Sequence, residues 1–390
     1  MKFILFKIIT YPVVLIIILI LYLIKYNINI RIALLNTGRI GHLALNTEIE
    51  LRRLSIKKKN NVKKEKTILI APSLPQDYVA NEQLVKMYSR NSNVYKSWIC
   101  FTFISIWHDY LLKTPFFFKL DVRSNEYKLF NNSNSIINFN SKEHSKGAKM
   151  LNDLSIGGNK YVCIFTRDSN YLEIKESKKQ NNRSCRDSDI DLMIPSVKHL
   201  IKNGYYVVRV GSCAKEKMSL EDDMFIDYPF TNNVSEFNDV YLVANADFFV
   251  GTSSGICDIA TIFDVPRLGV DMTPFGHAPF GQKSMFIPKK IRNNGAVIPF
   301  YDQQLIKFID NFSCPDLWHL EYEFIDNTES EILLAVIDFI SFIDSGFVLN
   351  YEYADEMGRY YDFFIKNSRF DGVKTPICPS WYNNNTKLYR

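Results

Sequence analysis

The stretch "DFFVGTSSGICDIATIFDVP", residues 247–266, fits two different uses of the same residues. Its centre, "GTSSG" at 251–255, matches the G-x-S-x-G pattern in which a sharp strand-to-helix turn presents a nucleophilic serine. An apolar strand that ends in a small-residue turn and opens a helix also forms an anion cradle, because the first N–H groups of a helix lack partners within it. Ser253 is therefore either a nucleophile or a phosphate ligand.

Strands and helices alternate on both sides of this stretch and indicate an α/β protein. Short apolar runs bounded by turn residues predict strands, and apolar positions three to four residues apart predict helices. The predicted strands are 30–35, 66–73, 160–167, 205–211, 246–251 and 266–271. One predicted helix begins at Leu43, and the others are 81–90, 189–203, 235–246, 255–263, 329–343 and 353–366. This order is typical of two Rossmann-like units.

The length of the chain also favours two domains. A chain of 390 residues with 47% apolar residues exceeds the usual size of one domain. The region 91–150 is rich in aromatic residues and gives no clear pattern, apart from Asn and Ser runs at 131–141 that indicate a loop. We expect a membrane helix at 1–27, a first Rossmann-like domain at 28–155, a second at 156–320, and C-terminal helices with a tail at 321–390 that pack back across the domains.

Charge and cysteine content exclude several classes of protein. The formal charge of +5 is concentrated in "RRLSIKKKNNVKKEK" (52–66), so it describes a local segment and not a preference for nucleic acid. The seven cysteines lie far apart without a C-x-x-C pair, which argues against a zinc ribbon and against a disulfide framework. A reducing compartment follows from this reasoning.

The N-terminal segment "IITYPVVLIIILILYLI" (8–24) has the composition of a membrane anchor. It contains no charged residue over 17 positions, and the residues after it offer no small-residue cleavage site. The basic residues that follow it place the body of the protein in the cytoplasm by the positive-inside rule, although a helix dipping into one leaflet satisfies the same charges. A buried core helix is the other alternative. If the segment is an anchor, deleting residues 1–26 should leave the fold intact.

Polar residues follow three predicted strands of the second unit, where a ligand of a parallel sheet binds. Arg167 ends the first strand, Arg209 and Gly211 lie at the end of the second, and 251–255 follows the third. An arginine fork pairs phosphate oxygens with about 1.5–3 kcal/mol per charged hydrogen bond, and a helix N-terminus adds about 0.3–1 kcal/mol. We expect the arginines to supply most of the affinity, with an intramolecular salt bridge as the alternative for each.

The hydrolase interpretation of Ser253 explains fewer residues than the phosphate cradle. A triad in hydrolase order needs an Asp and then a His downstream, and the pairs Asp271 with His277 or Asp302 with His319 are available. No HGGG-type oxyanion loop precedes the serine, and a triad gives Arg167 and Arg209 no role. We therefore favour the cradle.

The segment "RDSDIDL" contains Asp187, Asp189 and Asp191 at a spacing that suits Mg²⁺ or Mn²⁺ bound to a diphosphate. Acidic residues just before a helix also cap its N–H groups and interact favourably with its dipole. No buried strand leads into this segment, so we favour capping over metal binding.

Five segments together resemble a bacterial glycosyltransferase family found in surface-polysaccharide gene clusters. They are "GRIGHLALNTE", "FTRDSNYL", "NGYYVVRVGS", "DVYLVANADFFVGTSSGICDIATIFDVPRLGVD" and "CPSWYNNNTKLY", and the similarity runs from about residue 31 to 390. The second half is also similar to the donor domain of fucosyltransferase-like and heptosyltransferase-like enzymes of the GT-B fold, in which two Rossmann-like domains face a cleft.

The resemblance implies a donor, an acceptor and a location. The donor would be a sugar nucleotide, used without a metal or other cofactor, and its diphosphate would lie near Arg167, Arg209, Gly211 and the turn formed by Thr252, Ser253, Ser254 and Gly255. The acceptor would be a lipid-linked or surface glycan, at the bacterial inner membrane with the catalytic body facing the cytoplasm. Neither the sugar nor the oligomeric state follows from the sequence.

The loop after the first strand is the expected acceptor side, and it contains Gly38, Arg39, Gly41 and Asn46. An inverting transfer needs a base for the acceptor proton, and His42 is our candidate because histidine titrates near neutral pH. A helix-capping or acceptor-binding role is the alternative for His42. Heptosyltransferase-like enzymes have an Asp at this place, so the resemblance is one of position. Glu48 is the reserve base, with a solvated helix position as its alternative.

Two other functions remain open at this point. A sugar-nucleotide epimerase of the same fold would bind the same donor without an acceptor, and would have no evident reason for an anchor. A non-catalytic scaffold in a polysaccharide assembly complex would bind the donor without turnover.

Overall fold

The chain forms two compact units in the computed structural model, which describes residues 2–59, 65–72, 79–91, 93–121, 126–168, 185–212, 214–273, 278–302, 322–367 and 374–389. Unit 1 comprises Met1–Val122 and Ser135–Asn138, and unit 2 comprises Arg123–Asn134 and Phe139–Arg390. Each unit contains a parallel β-sheet and helices, so the predicted α/β class is confirmed.

Unit 1 is built on a three-stranded parallel sheet in the order β1-β2-β3. The strands are β1 (Asn29–Leu34), β2 (Glu65–Ala71) and β3 (Val94–Lys96). The described helices of this unit are α1 (Lys2–Ile24), α2 (Thr47–Lys59), α3 (Glu82–Asn91) and α4 (Trp98–Leu111). The strands predicted at 30–35 and 66–73 and the helix at 81–90 are confirmed within two residues.

A π-helical turn, His42–Asn46, lies between β1 and α2, where the sequence predicted an ordinary α-helix from Leu43. The Tyr88 hydroxyl of α3 donates a 2.8 Å hydrogen bond to the Ala44 carbonyl within this turn. A side chain that bonds to a helix carbonyl competes with the regular ladder, and π-helical turns are frequent at functional sites. The widened turn therefore has a long-range partner that local periodicity does not reveal.

Helix α1 packs against unit 1 through one stripe of residues. Lys7, Thr10, Val14, Ile17 and Leu21 are buried or half-buried at alternating spacings of three and four, whereas most of the helix is exposed. Val14 and Leu21 join the core of unit 1 beside aromatic and aliphatic residues of α4 and of the segment after it: Trp107, Leu111, Phe116 and Phe117.

The same helix has the composition of a membrane segment. Among the described helices, α1 alone is long and apolar enough to cross a bilayer, over Lys7–Ile24 with a mean hydropathy of 2.6. Only 11% of that window is buried. The helix is thus both part of the hydrophobic core of unit 1 and a source of exposed apolar surface.

Unit 2 contains a six-stranded sheet in the order β6-β5-β4-β7-β8-β9, with every neighbouring pair parallel. The strands are β4 (Tyr161–Phe165), β5 (Tyr206–Arg209), β6 (Phe225–Asp227), β7 (Phe248–Gly251), β8 (Arg267–Met272) and β9 (Ser284–Pro288). β7, β8 and β9 are buried throughout, as expected for a sheet covered on both faces. Numbered from β4, the order is 3-2-1-4-5-6, the order of a dinucleotide-binding Rossmann sheet.

The described helices of unit 2 are α5 (Glu126–Asn131), α6 (Ser141–Asp153), α7 (Ile194–Lys202), α8 (Glu236–Ala244), α9 (Gly255–Ile262), α10 (Glu329–Asp344), α11 (Tyr351–Asn367) and α12 (Pro379–Asn384). A small antiparallel sheet in the order β11-β10-β12 consists of β10 (Lys290–Asn293), β11 (Ala296–Val297) and β12 (Tyr322–Ile325). The strands and helices predicted for 160–271 and the two C-terminal helices are present.

The C-terminal segment belongs to the core of unit 2. Phe339 of α10 and Trp381 of α12 are both at most 1% exposed and lie in the same apolar cluster as the central strands. The tail also pairs with β9, since the Cys378 N–H donates to the Phe286 carbonyl and the Phe286 N–H donates to the Pro376 carbonyl, both at 3.0 Å. Residues 321–390 therefore complete one unit.

The predicted domain boundary at 155 falls inside unit 2. Helix α6 packs on α8 so closely that a Cβ at Gly147 would lie 2.0 Å from the Tyr241 ring. Phe139, just before α6, also contacts this ring, with centroids 4.9 Å apart. Asn140 and Glu143 form a capping box that starts α6 directly after the Asn- and Ser-rich loop.

One cysteine departs from the sequence-based expectation. Cys185 is disulfide-bonded, while the other described cysteines are free. The sequence argued against a framework of several disulfides and did not predict this single one, because sequence spacing does not show which distant cysteines meet. Cysteine usage therefore no longer supports a reducing compartment.

We expect Leu21→Ala to destabilise unit 1 and Leu19→Ala to leave its stability nearly unchanged. Leu21 is 8% exposed within the core, so its truncation should cost about 2–5 kcal/mol. Leu19 is 60% exposed on the same helix, so its truncation should stay within about 0.5 kcal/mol. Denaturant unfolding in mild detergent measures both. Equal midpoints would show that α1 is detachable, as the sequence suggested.

Candidate functional site

The structure brings the three predicted strand ends of unit 2 to one edge of the sheet. β4 lies between β5 and β7, and all three run parallel, so their carboxyl ends are adjacent. From β4 the chain passes to β5 on one side and later returns to β7 on the other. β4 and β7 thus flank the topological switch point, where ligands of such sheets bind.

The strands β4 and β7 approach each other closely at this edge. A Cβ at Gly251 would lie 2.6 Å from the Phe165 carbonyl oxygen, so a larger residue would force the strands apart. The Thr252 N–H donates to that carbonyl at 3.2 Å, and the Thr252 hydroxyl accepts a 2.9 Å bond from the Arg167 N–H. The two loops at the switch point are therefore hydrogen-bonded to each other.

The turn after β7 has the form of an anion cradle. Thr252 is fully buried, while Ser253, Ser254 and Gly255 are half-buried at the edge of the sheet. Ser254 is the N-cap residue of α9 in an extended conformation, and it makes no side-chain cap hydrogen bond. N–H groups at such a helix start are suited to a phosphate.

Ser253 lacks the backbone feature of a nucleophile elbow. Among the described residues, positive φ angles occur at five non-glycine positions, and Ser253 is not one of them. The downstream acid proposed for a triad, Asp271, is buried and accepts hydrogen bonds from Ser188 at 2.5 Å and Asn327 at 2.7 Å. His277 and His319 lie outside the described residues. The turn therefore favours a phosphate ligand.

Arg167 lies at the switch point in an ion pair. Its Nε atom is 3.4 Å from Oδ1 of Asp187, and the two side chains are 13% and 6% exposed. This is the salt bridge that the sequence left open. A guanidinium has five N–H donors, so a carboxylate at Nε orients the fork without excluding a phosphate at its other edge.

Arg209 lies deeper than the sequence suggested. It is 5% exposed, its Nη1 atom lies 3.3 Å from an oxygen of Asp227 on β6, and it donates a 2.7 Å bond to the Glu216 carbonyl. The buried pair joins two neighbouring strands and a loop. The Arg209 Nη1 atom is thus engaged by protein groups, and the assignment of Arg209 to the diphosphate stays a prediction. Gly211, two residues further on, has a φ angle of +110°, which glycine adopts readily and other residues rarely do.

The three aspartates of "RDSDIDL" have different partners. Asp187 pairs with Arg167, Asp189 caps a 3₁₀ turn by accepting from the Asp191 N–H at 3.0 Å, and Asp191 accepts from the Ser219 N–H at 2.9 Å. Within the described part of the chain, no group of three His, Cys, Asp or Glu residues is arranged to hold a metal ion. Asp189 thus has the capping role that the sequence favoured.

Buried polar residues that the sequence did not indicate support the same loops. Asp271 joins β8 to Ser188, and Lys289 donates 2.6 Å bonds to the Asp187 carbonyl and to Asp326. The indole N–H of Trp381 donates to the Asn327 side chain at 2.5 Å. The C-terminal "CPSW" segment is therefore linked, through Asn327 and Asp271, to the loop that carries Asp187.

Asp258 in the first turn of α9 is another charged residue that the sequence analysis passed over. Burial raises its pKa to about 7, against the lowering effects of Arg267 and Arg186. This half-buried carboxyl group lies one turn after the cradle and carries a raised pKa. Its helical position within "GICDIATI" gave no sign of this burial.

The loop after β1 in unit 1 carries the acceptor-side candidates. Gly38, Arg39 and His42 are exposed, and Gly41 is buried. Asn46 is 4% exposed and donates a 3.3 Å bond to the Leu120 carbonyl. The structure therefore leaves His42 at the surface, at the start of the π-helical turn, while Asn46 holds that turn to the rest of unit 1.

Glu48 is not at the surface, which corrects both of its sequence-based interpretations. Its side chain is fully buried, lies 2.9 Å from the equally buried Arg52, and accepts a 2.7 Å bond from the Ile136 N–H. In the sequence, Arg52 lies four residues from Glu48 and Ile136 lies 88 residues from it. Such a pair holds 135–138 onto unit 1 and is closed to an acceptor, so Glu48 is no longer the reserve base.

No protein-family model matches the sequence, and no curated protein matches it either. The structural neighbours of the chain are heptosyltransferases and a family 9 glycosyltransferase. The E. coli ADP-heptose LPS heptosyltransferase II is 12% identical, with a TM-score of 0.42 over 81% of this chain and 100% of that chain. The family 9 glycosyl transferase from Veillonella parvula is 9% identical, with a TM-score of 0.42 over 66% and 85%.

A third similar structure is the iron-containing dodecameric glycosyltransferase TibC from enterotoxigenic E. coli. It is 13% identical, with a TM-score of 0.35 over 70% of this chain and 65% of that chain. At these scores, the similarity does not extend to an activity or a substrate of this chain.

We expect Gly251→Ala to destabilise unit 2 by about 1–3 kcal/mol, the usual cost of overpacking, because the added methyl group meets the backbone of β4. Nucleotide affinity measured by calorimetry should fall as well, since the two loops of the switch point move apart. Gly158→Ala is the matched control, with no atom within 4 Å of the new Cβ. An unchanged melting temperature and affinity in Gly251→Ala would rule out the tight junction.

Proposed function

We propose that this protein is a metal-independent, inverting glycosyltransferase that moves a hexosyl or deoxyhexosyl group from a nucleotide-diphosphate sugar to a lipid-linked or surface glycan. The observation that carries the proposal is the Rossmann-type switch point of unit 2, with the α9 N-terminus on one side and Arg167 on the other. This is where sheets of this order bind nucleotides.

The diphosphate is assigned to the backbone of the cradle and to Arg167. The Ser253 and Ser254 hydroxyls and the first N–H groups of α9 suit the phosphate oxygens, and the helix dipole favours their charge. Asp187 fixes the direction of the Arg167 side chain. Arg209 acts indirectly, by holding the loop after β5 through Asp227 and Glu216.

The acceptor hydroxyl is assigned to the loop after β1. His42 is exposed there, and a histidine side chain can act as a general base near neutral pH. With Glu48 buried in an ion pair, His42 is the residue of this loop that we assign as base. The apolar surface of α1 supports a membrane location, and hence a lipid-linked acceptor.

A panel of sugar nucleotides tests the reaction class. We expect transfer to a lipid-linked glycan, or slow donor hydrolysis, with purified protein in the presence of a chelator. Arg167→Ala should weaken nucleotide-diphosphate binding by roughly 10- to 150-fold, for a loss of about 1.5–3 kcal/mol. Lys198→Ala, a change on the exposed surface of α7, is the control.

The other outcomes of this assay each contradict the proposal. An isomerised donor would identify an epimerase, and binding without turnover would identify a scaffold. Activity that is lost with chelator and restored by Mg²⁺ would refute the metal-independent mechanism. Unchanged affinity in Arg167→Ala would remove the diphosphate from the switch point.

His42→Ala should lower kcat by about 10²–10⁴, the usual contribution of a positioned general base, with donor affinity nearly unchanged. The acidic limb of the kcat/KM profile should lie near pH 6.5, give or take about one unit, and should move or vanish in the variant. His199→Ala in unit 2 is the control histidine. A variant that keeps its rate and its acidic limb would show that His42 is not the base.

A further inference from the structure

The packing of α1 restricts how this helix can meet a membrane. Its buried stripe runs from Lys7 to Leu21, which is about 21 Å of helix at 1.5 Å per residue. Thr10 accepts a 3.1 Å hydrogen bond from the Trp107 indole at one end, and Tyr22 contacts the Phe116 ring at the other, with centroids 4.8 Å apart. Unit 1 thus covers one side of α1 over most of its apolar length.

A bilayer-crossing orientation would carry these contacts into the hydrocarbon. Helix α4 would enter with α1, and its Asp109 side chain is fully exposed. The segment after α4 would enter as well, and Ile32 forms backbone hydrogen bonds of 2.7 and 3.1 Å with Phe116 and Phe118 there. Open sheet edges and irregular loops do not occur in lipid-exposed hydrocarbon, and an exposed carboxylate there is costly.

The exposed sides of α1 are nevertheless suited to lipid. Large apolar side chains that are 43–66% exposed surround the stripe: Ile8, Ile9, Val13, Leu15, Ile16, Leu19, Ile20 and Leu23. Tyr11, Tyr22 and Tyr26 are 41%, 47% and 92% exposed, and Lys25 is exposed beside them. Tyrosine and lysine are the residues that border apolar surface at the headgroup level of a membrane.

We propose that α1 is an in-plane anchor that lies in one leaflet of an anionic phospholipid membrane, with its buried stripe on unit 1 and its remaining surface in the headgroup and upper acyl region. The protein body supplies the covering that a polar face supplies in an ordinary interfacial helix. Both ends of α1 then lie on the same side of the membrane. This inference rests on the membrane location given in the proposed function.

The side of the N-terminus distinguishes the two orientations. Full-length Lys2→Cys is added to sealed phosphatidylcholine–phosphatidylglycerol vesicles and treated with a membrane-impermeant maleimide, and labelling of the N-terminal peptide is read by mass spectrometry. Asp109→Cys is the control, since that position is exposed on the body of unit 1. We expect both cysteines to be labelled to the same extent without detergent.

A second variant tests lipid contact by the exposed surface. Leu19→Lys should lower the vesicle partition coefficient by about 10-fold or more, because it places a charge in the lipid-facing surface. Its thermal melt in solution should match the wild type. Gln282→Lys, an exposed position of unit 2, is the matched charge control and should leave partitioning unchanged.

The failures are distinguishable. A Lys2→Cys peptide that is labelled only after detergent would overturn the in-plane orientation and leave the membrane location in place. An unchanged partition coefficient in Leu19→Lys would overturn the proposed lipid-facing surface. Failure of the wild-type protein to bind vesicles would overturn both this inference and the membrane part of the proposed function.

Discussion

The contact between Gly251 and the Phe165 carbonyl is the constraint on which the candidate site depends. It lets β7 lie beside β4, although 82 residues separate the end of β4 from the start of β7 in the sequence. Only with these strands adjacent do the loops after them share the hydrogen bond between Thr252 and Arg167. Because Gly251 has no side chain, the two strands can approach each other, and this approach determines the geometry of the polar site.

The outer part of that site depends on buried polar bonds contributed by distant parts of the chain. Asp271 is 1% exposed and has φ +50°, which is unfavourable for a non-glycine residue. Its bonds to Ser188 and Asn327, and the bond from Trp381 to Asn327, offset this strain and the cost of burying a carboxylate. Because a buried network is stabilising only when its members are satisfied, the tail that bears Trp381 contributes to the loop of Asp187.

The sequence predicted the four central strands of unit 2, β4, β5, β7 and β8, because their signal is local, and it did not predict β6, β9 or the small antiparallel sheet. A strand buried on both faces, such as β7, is a continuous apolar run ended by small residues, and the helices begin at capping residues such as Ser235. The convergence of Arg167 with 251–255 also followed from general rules for parallel sheets. Helix α4 was missed because its aromatic residues give no clean helical stripe, and α6 was missed behind the Asn- and Ser-rich loop.

The partners of charged residues were beyond local reasoning. From the sequence, Glu48 had a solvated helix position as one interpretation and Arg209 a phosphate-binding role. In the structure they contact Ile136 and Asp227, which lie 88 and 18 residues away. Burying one member of such a pair without the other would cost several kcal/mol, about 3–5 when a buried pair is broken. The fold therefore determines which charges remain available for chemistry, and a pattern of single residues does not.

Local sequence reasoning is limited in the same way for the apolar residues of helix α1. A segment that is hydrophobic on all sides is compatible with a core, with lipid, or with both. The structure assigns one stripe to the core through Val14 and Leu21 and leaves the rest exposed. β1 starts five residues after the end of α1, and its six residues span about 20 Å before the loop that leads to His42. Helix α1 and the loop that carries His42 thus belong to one unit, joined by a single strand.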